Sequence, residues 1–376
     1  MLLICGAECF TPEPLGEMDV LVAGGEVIAI APPGEIKVPA ERIDASGKLM
    51  MPGIVDALTH PCGGGGEGGF VNRTPELSAD DFVSAGVTTP VGALGTDSLG
   101  RSLEVLYATI MGLRAKGLRA YMFSGAYRMP APTLTGDVAR DVYLIEPIIG
   151  VGEVAVADHR GTQPSAEELR RLAAEVQLGG ILTGEGGTVL VHVGAGPSRL
   201  SLLREAIDGS DLPARILYPT HVNRSHALLQ EAAQWALRGA YVDITVSTTP
   251  ELIAAGDIPT VLALRTLLEA GAPADHITLS SDAGGSLPWY VDGELRGLTA
   301  AAPGVLPELL GELMREDTDL LPMAIAAMTR NPAAALGLHD VGAIVVGQPA
   351  DITLLDRTNG GVAGVLCRGR WLKTMA

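Results

Sequence analysis

This sequence has little that would support a disulfide framework, a membrane span or a nucleic-acid interface. It contains four cysteines, Cys5, Cys9, Cys62 and Cys367, with no CxxC spacing. That pattern reads as free thiols in a reducing compartment. Basic residues are outnumbered, 26 Lys and Arg against 44 Asp and Glu, for a formal net charge of −18. A phosphate backbone is gripped by basic stripes, and none is present, so nucleic acid is excluded as a partner. An anionic membrane surface is excluded on the same ground. An acidic small-molecule ligand would need a few local arginines to overcome the surrounding field. No apolar run approaches the ~18 residues of a membrane span. The opening MLLICGAECF has no basic n-region and no long apolar stretch. No secretory signal is therefore expected, and the expected location is the cytoplasm.

What is present is a globular composition, 376 residues with 47% hydrophobic and 19% charged. The length suits one large α/β domain of roughly 250–300 residues with a smaller module. Both ends are rich in strands and turns. Val20–Ala23, the turn Gly24-Gly25 and Val27–Ile30 predict a hairpin. Near the other end, Ala343–Val346, Asp351–Leu355, Gly364–Arg368 and Trp371–Lys373 read as strands. Residues 1–51 and 340–376 are therefore expected to pair into one small β domain flanking residues 52–339.

The middle alternates between the two periodicities. Strand-like runs fall near 53–59, 86–93, 118–124, 148–156, 187–193, 214–220, 240–246 and 276–281. Helical patterns such as Leu103–Lys116, Ala166–Gln177 and Ser225–Leu237 fill the gaps. Eight strands with intervening helices favour a TIM-like (β/α)8 barrel. An open doubly wound sheet is the runner-up, without a GxGxxG fingerprint to support it. The run Gly63-Gly64-Gly65-Gly66 precedes Glu67, which would repel phosphate. It reads as a flexible loop or a close backbone approach to a ligand.

Barrel enzymes place their chemistry at the C-terminal ends of the strands. Read that way, the first strand ends at His60, the fourth carries Glu153, the fifth ends at His192, the sixth at His221 and the eighth at Asp282. Imidazoles with carboxylates suit Zn²⁺ or a similar divalent ion. Such an ion lowers the pKa of water to about 7, and a neighbouring carboxylate, here Asp282, moves the protons. The plainer alternative for any single histidine is a hydrogen-bonded core or surface residue. For Glu153 it is a buried charge paired with an arginine. His159, His226, His276 and His339 lack strand-end placement and read as structural or solvent-facing.

These residues lie within strings that resemble the amidohydrolase superfamily. GKLMMPGIVDALTH is similar to its first-strand signature, and VGAIVVGQPADITLLD to its return into the small β domain. HPCGGGGEGG, GALGTDS, SGAYRMP, ADHRG, PTHVNR and TLSSDAGGS, in that order, resemble the bacterial isoaspartyl dipeptidase (β-aspartyl peptidase) family across nearly the whole chain. The resemblance implies a β-sandwich built from both termini. It implies His192 and His221 as metal ligands, Asp282 as acid/base and ligand, and His60 as the second His of a His-x-His pair. It also implies Tyr127 polarising the scissile carbonyl, Glu67 on the substrate ammonium, and Arg160 and Arg224 on its carboxylates. Gly65, Thr96 and Ser286 are implied as further substrate contacts. Two arginines and Glu67 match the three charges of a β-aspartyl dipeptide. The alternative for the arginines is a structural pairing with Glu153 or Asp282.

Two positions depart from the family pattern. Leu58-Thr59-His60 replaces His-x-His, and Glu153 stands where a carboxylated lysine bridges two metals. Other amidohydrolases use a glutamate there with a single ion. The expectation is one Zn²⁺ per chain on Glu153, His192 and His221, with His60 and Asp282 flanking the water; two ions are not excluded. The expected substrate is a small acidic dipeptide, and the resemblance also implies a homo-oligomer. Two other functions stay open: an amidohydrolase for another N-acyl amino acid or cyclic amide, and a non-catalytic barrel that binds an acidic dipeptide.

Overall fold

A computed structural model describes residues 1–291 and 294–375. Eight parallel strands run through the middle of the chain: β1 (Ile54–Thr59), β2 (Val87–Gly92), β3 (Tyr121–Ser124), β4 (Ile148–Val156), β5 (Thr188–Val193), β6 (Leu217–Thr220), β7 (Val242–Thr245) and β8 (Ile277–Ser280). Every residue in them is buried. Strands covered on both faces read as continuous apolar runs instead of alternating ones, as VLVHV and VGEVAV do here.

Strands β1 to β6 pair in succession, and β7 pairs with β8. Polar side chains join the two groups. The buried Asp56 carboxylate on β1 accepts from Ser281 N at 3.0 Å and Ser281 Oγ at 2.5 Å. Thr59 bridges in parallel to Ala283 just beyond β8. At the other seam Thr220 Oγ1 on β6 donates to Asp243 Oδ2 on β7 at 2.7 Å. Burial pushes Asp56 up to about 7 and Asp243 up to about 6.

Helices cover the outside, and their starts are written locally. Ser102, Asp137, Ser165 and Ser225 each cap a helix by accepting from a backbone N–H in its first turn. Ser165 and Glu168 form a reciprocal capping box. The helix that follows runs to Thr183, past the expected Gln177, and stops at Gly184 in a left-handed conformation. No helix among the described residues is long and apolar enough to cross a membrane.

The architecture is a TIM-like (β/α)8 barrel with a β-sandwich built from both ends of the chain. Strands Leu2–Phe10, Pro14–Ala23, Glu26–Ala31, Glu41–Asp44 and Lys48–Pro52 share one sheet with Ile352–Asp356, Val362–Cys367 and Arg370–Lys373. Lys48–Pro52 is the seam, parallel to Leu2–Phe10 and antiparallel to Ile352–Asp356. Its alternation serves two cores: Leu49 and Met51 join the barrel core, and Met50 the core of the terminal sheet.

One expected strand is absent. Ala343–Val346 runs irregularly into a turn, because Gly342 and Gly347 on either side take positive φ and Gln348 N closes back onto Val345 O. Conversely, the hairpin Ser286–Val291 with Glu294–Ala300 was not anticipated.

Just past β6, Asn223 ties the mouth of the barrel together. Its Nδ2 donates to Thr245 O and Ile258 O, and its Oδ1 accepts from Thr245 N, each at 3.1 Å. Asn223 is 2% exposed, so Asn223→Ala removes a partner from three buried backbone groups, of which Thr245 O retains Thr248 Oγ1 at 3.4 Å. The expected loss is about 2–4 kcal/mol of unfolding free energy, read from urea denaturation.

Candidate active site

The strand ends converge on one buried cluster. Glu153 Oε1 lies 2.8 Å from His192 Nδ1 and 3.1 Å from His221 Nε2. One donor atom from each of the three residues falls within 4.8 Å of the others. Glu153 is fully buried, and its Oε2 accepts no hydrogen bond. A buried carboxylate oxygen without a donor is costly unless a cation stands beside it. Two imidazoles, a carboxylate and that orphaned oxygen fit a divalent metal ion. Burial alone would push the Glu153 carboxyl up, but His192 and His221 hold it well below the usual range.

Each imidazole is oriented from behind. His221 Nδ1 meets Thr245 Oγ1 at 2.5 Å, which turns Nε2 toward the cluster. Burial, Arg224 and His192 push His221 down to about 4, so it is neutral with a free lone pair at physiological pH. His192 Nε2 donates to Asp158 Oδ2 at 3.0 Å, which turns Nδ1 inward. Tyr127 OH lies 2.7 Å from that Nδ1. Burial and the Glu153 carboxylate push the Tyr127 phenol well above its ordinary value, so it stays protonated.

His60 and Asp282 lie beside the three-residue cluster and face each other, His60 Nε2 to Asp282 Oδ1 at 3.1 Å. His60 Nε2 is also 3.5 Å from Glu153 Oε2, and its Nδ1 donates to Ala93 O at 3.0 Å. Burial works against its imidazolium, but Asp282 and Glu153 outweigh it and raise His60 to about 9. His221 and Asp282 both hold left-handed backbones, φ 61° and 55°. Such conformations cost about 1 kcal/mol or more and persist where surrounding contacts impose them. Here Arg224 N donates to His221 O, and Gly285 N to Asp282 O. Leu58 packs in the barrel's interior apolar cluster with Val91, Phe123 and Leu190.

A charged ring surrounds the cluster. Arg160 forks onto Asp158, Nε to Oδ1 at 3.0 Å and Nη2 to Oδ2 at 2.7 Å, and its Nη1 donates to Glu67 Oε1 at 2.9 Å. Thr96 Oγ1 donates to Glu67 Oε1 at 2.7 Å, and Ser286 Oγ lies 3.4 Å from it. Burial opposes the Glu67 charge, but Thr96 and Arg160 more than offset it and lower its pKa. Arg224 Nη1 is 3.8 Å from Asp158 Oδ2. The arginines are thus paired with Asp158 and Glu67, and Glu153 is paired with histidines. Gly65, Thr96, Tyr127, Arg160, Arg224 and Ser286 line one small cavity with His60, His192 and Asp282, about 30 Å³ in volume. A neighbouring cavity of about 330 Å³ shares Arg160, Arg224, Asp282 and Ser286 with it and also reaches His221.

Two residues outside the sequence-based set hold this arrangement. Asp158, 7% exposed, joins His192 to Arg160. Asp158 lies within the ADHRG string, where nothing local marks it as the partner of His192. Arg101, 9% exposed, donates to Cys62 O, Gly64 O and Thr74 O and so fixes the glycine loop. That loop packs against its own chain: a Cβ on Gly65 would stand 2.6 Å from Asn72 O, at φ +72°. Of the other histidines, His159 is 93% exposed, and His276 and His339 bond to Ala240 O and Gly184 O.

A profile of the amidohydrolase family matches residues 49–372. The chain belongs to the amidohydrolase family. Two solved structures of β-aspartyl dipeptidase from the thermophilic, keratin-degrading Fervidobacterium islandicum AW-1 resemble this amidohydrolase over its whole length. One, in complex with a β-Asp-Leu dipeptide, is 37% identical with a TM-score of 0.90 and covers 100% of this chain and 97% of that one. The other is 35% identical with a TM-score of 0.89 and the same coverage. Dihydropyrimidinase from Brevibacillus agri NCHU1002 shares the fold, with a TM-score of 0.67 at 18% identity, over 99% of this chain and 95% of its own. Adenine deaminase 2 from Agrobacterium fabrum is 25% identical over 365 residues, 94% of this chain. This amidohydrolase spans about half of that curated relative, 53% of its length. Family and dipeptidase relatives together make the chain a metal-dependent hydrolase.

Asp158→Asn retains the shape but loses the charge behind His192. Metal affinity is expected to fall about 10–100-fold, measured by titrating metal-free protein against a competing chelator.

Proposed function

We propose that this amidohydrolase cleaves β-aspartyl dipeptides into aspartate and an amino acid, using one Zn²⁺ per chain held by Glu153, His192 and His221. The observation that carries this reading is the charged ring: Arg160, Arg224 and Glu67 surround the ligand cluster. Two guanidiniums match two carboxylates, Arg160 through the Nη1 that its fork on Asp158 leaves over, and Glu67 matches an ammonium. In the free protein Arg160 and Glu67 neutralise each other, and a doubly carboxylated, amino-bearing substrate exchanges those pairings for its own. The complex of the Fervidobacterium relative with β-Asp-Leu supports the substrate class.

The bound cation supplies a lowered water pKa and a polarised carbonyl. The Asp282 carboxylate accepts the proton of the attacking water and passes it to the leaving amine as the amide C–N bond breaks. His60, 3.1 Å from Asp282 Oδ1, orients that carboxylate. The protonated Tyr127 hydroxyl donates to the developing oxyanion. Thr96 and Ser286 hold Glu67 in place for the ammonium. The 330 Å³ cavity, walled by Leu252, Ala255, Leu287 and Pro288, receives the side chain of the leaving residue. That wall favours aliphatic leaving residues.

Asp282→Asn is expected to lower kcat about a thousandfold with an unchanged circular dichroism spectrum; normal turnover in this variant overturns the mechanism. Arg224→Ala is expected to raise KM about 10–100-fold with a smaller change in kcat. Metal analysis of purified protein should give one equivalent per chain, and two would contradict the single-ion site. A panel of β-aspartyl, γ-glutamyl and N-acyl amino acids decides the substrate. Preference for either of the last two favours the broader amidohydrolase reading. Tight dipeptide binding without product in metal-loaded protein favours a binding barrel.

A further inference from the structure

We propose a second ligand site, at the opposite end of the barrel from the metal cluster, that binds a small dianion. It is a cavity of about 270 Å³ where the chain entering β3 meets the final hairpin of the terminal sheet. Arg114, Arg119, Arg368 and Arg370 line it, together with Tyr121. Four guanidiniums around one cavity are conspicuous in a chain of net charge −18.

The deepest of them has an unpartnered donor. Arg119 is 4% exposed. Its Nη1 donates to Asp340 O at 2.8 Å and Asp351 Oδ2 at 2.9 Å, and its Nη2 pairs with Asp340 Oδ1. Its Nε is buried with no hydrogen-bond partner. A buried, charged N–H without an acceptor calls for a ligand or water. Arg114 pairs with Glu146 at 2.7 Å. Arg368 and Arg370 are exposed and have no carboxylate within ion-pair distance among the described residues. The two flank the turn at Gly369, so two guanidiniums without an ion-pair partner lie close together in sequence at the cavity rim.

The cavity is also organised in advance. Asp351, 3% exposed, accepts from Arg368 N through Oδ1 at 2.7 Å and from Arg119 Nη1 through Oδ2 at 2.9 Å. Gly369 N is anchored on Ala350 O at 2.9 Å. One buried carboxylate therefore fixes the turn relative to the buried guanidinium before any ligand arrives, which lowers the cost of binding. The volume admits a phosphate group on a small carrier, or a short dicarboxylate. Their shared chemistry is two negative charges on oxygens spaced for guanidinium forks. Such a ligand touches barrel and sandwich at once and stabilises their junction.

Isothermal titration of the full chain with inorganic phosphate and, separately, with succinate at low ionic strength tests this. The expected result is saturable one-to-one binding of at least one probe, with Kd at or below about 1 mM. Phosphate alone identifies a phosphate-bearing ligand, and succinate alone a dicarboxylate. Binding should weaken at least about tenfold in the double variant Arg368→Gln, Arg370→Gln and persist in Arg224→Ala, which separates this site from the charged ring of the active site. If the double variant unfolds, Arg114→Gln supplies the same comparison. No binding of either probe up to about 10 mM, or equal affinity in the arginine variants, overturns the proposal.

Discussion

Much of this protein follows from one buried carboxylate. Glu153 sits in the wall of an apolar barrel with one oxygen against two imidazoles and the other without a donor. An uncompensated charge in such a place costs several kcal/mol. Two imidazoles are turned toward it, and His60 beyond them is raised to about 9. The environment is built for a cation, and that requirement sets the roles of the surrounding residues.

The support runs outward in layers. Thr245 and Asp158 fix the two imidazoles, Asn223 fixes Thr245, and Arg160 fixes Asp158. The same Arg160 reaches Glu67, so the carboxylate behind His192 and the charged ring share one network. Coupled networks of this kind respond as units, so single substitutions within them are not additive.

The parts of this design legible in the sequence were those encoded locally. Fully buried strands appeared as apolar runs, and the helices between them as periodic segments. Glu153 stood out as a charge inside such a run, and His192 and His221 as polar residues closing others. What stayed hidden depended on partners distant in sequence. Asp158 meets His192 34 residues away, Arg101 meets Gly64 37 residues away, and Arg160 meets Glu67 93 residues away. No local periodicity reports such pairings. Family resemblance brought Arg160 and Glu67 into view, but as ligands for a substrate and not as partners of each other. Ala343–Val346 misled for the opposite reason: its residues favour a strand, but the left-handed glycines on both sides bend the chain away from extension.

The strand Lys48–Pro52 has a consequence for the order of assembly. Its neighbour on one side, Leu2–Phe10, is made first, and its neighbour on the other, Ile352–Asp356, only after the whole barrel has been synthesised. The side of this strand that carries Leu49 and Met51 already belongs to the barrel. A folded barrel therefore holds the strand at the correct height as a template, and the late-arriving hairpins zip onto it, so closing a loop of some three hundred residues becomes a local docking step.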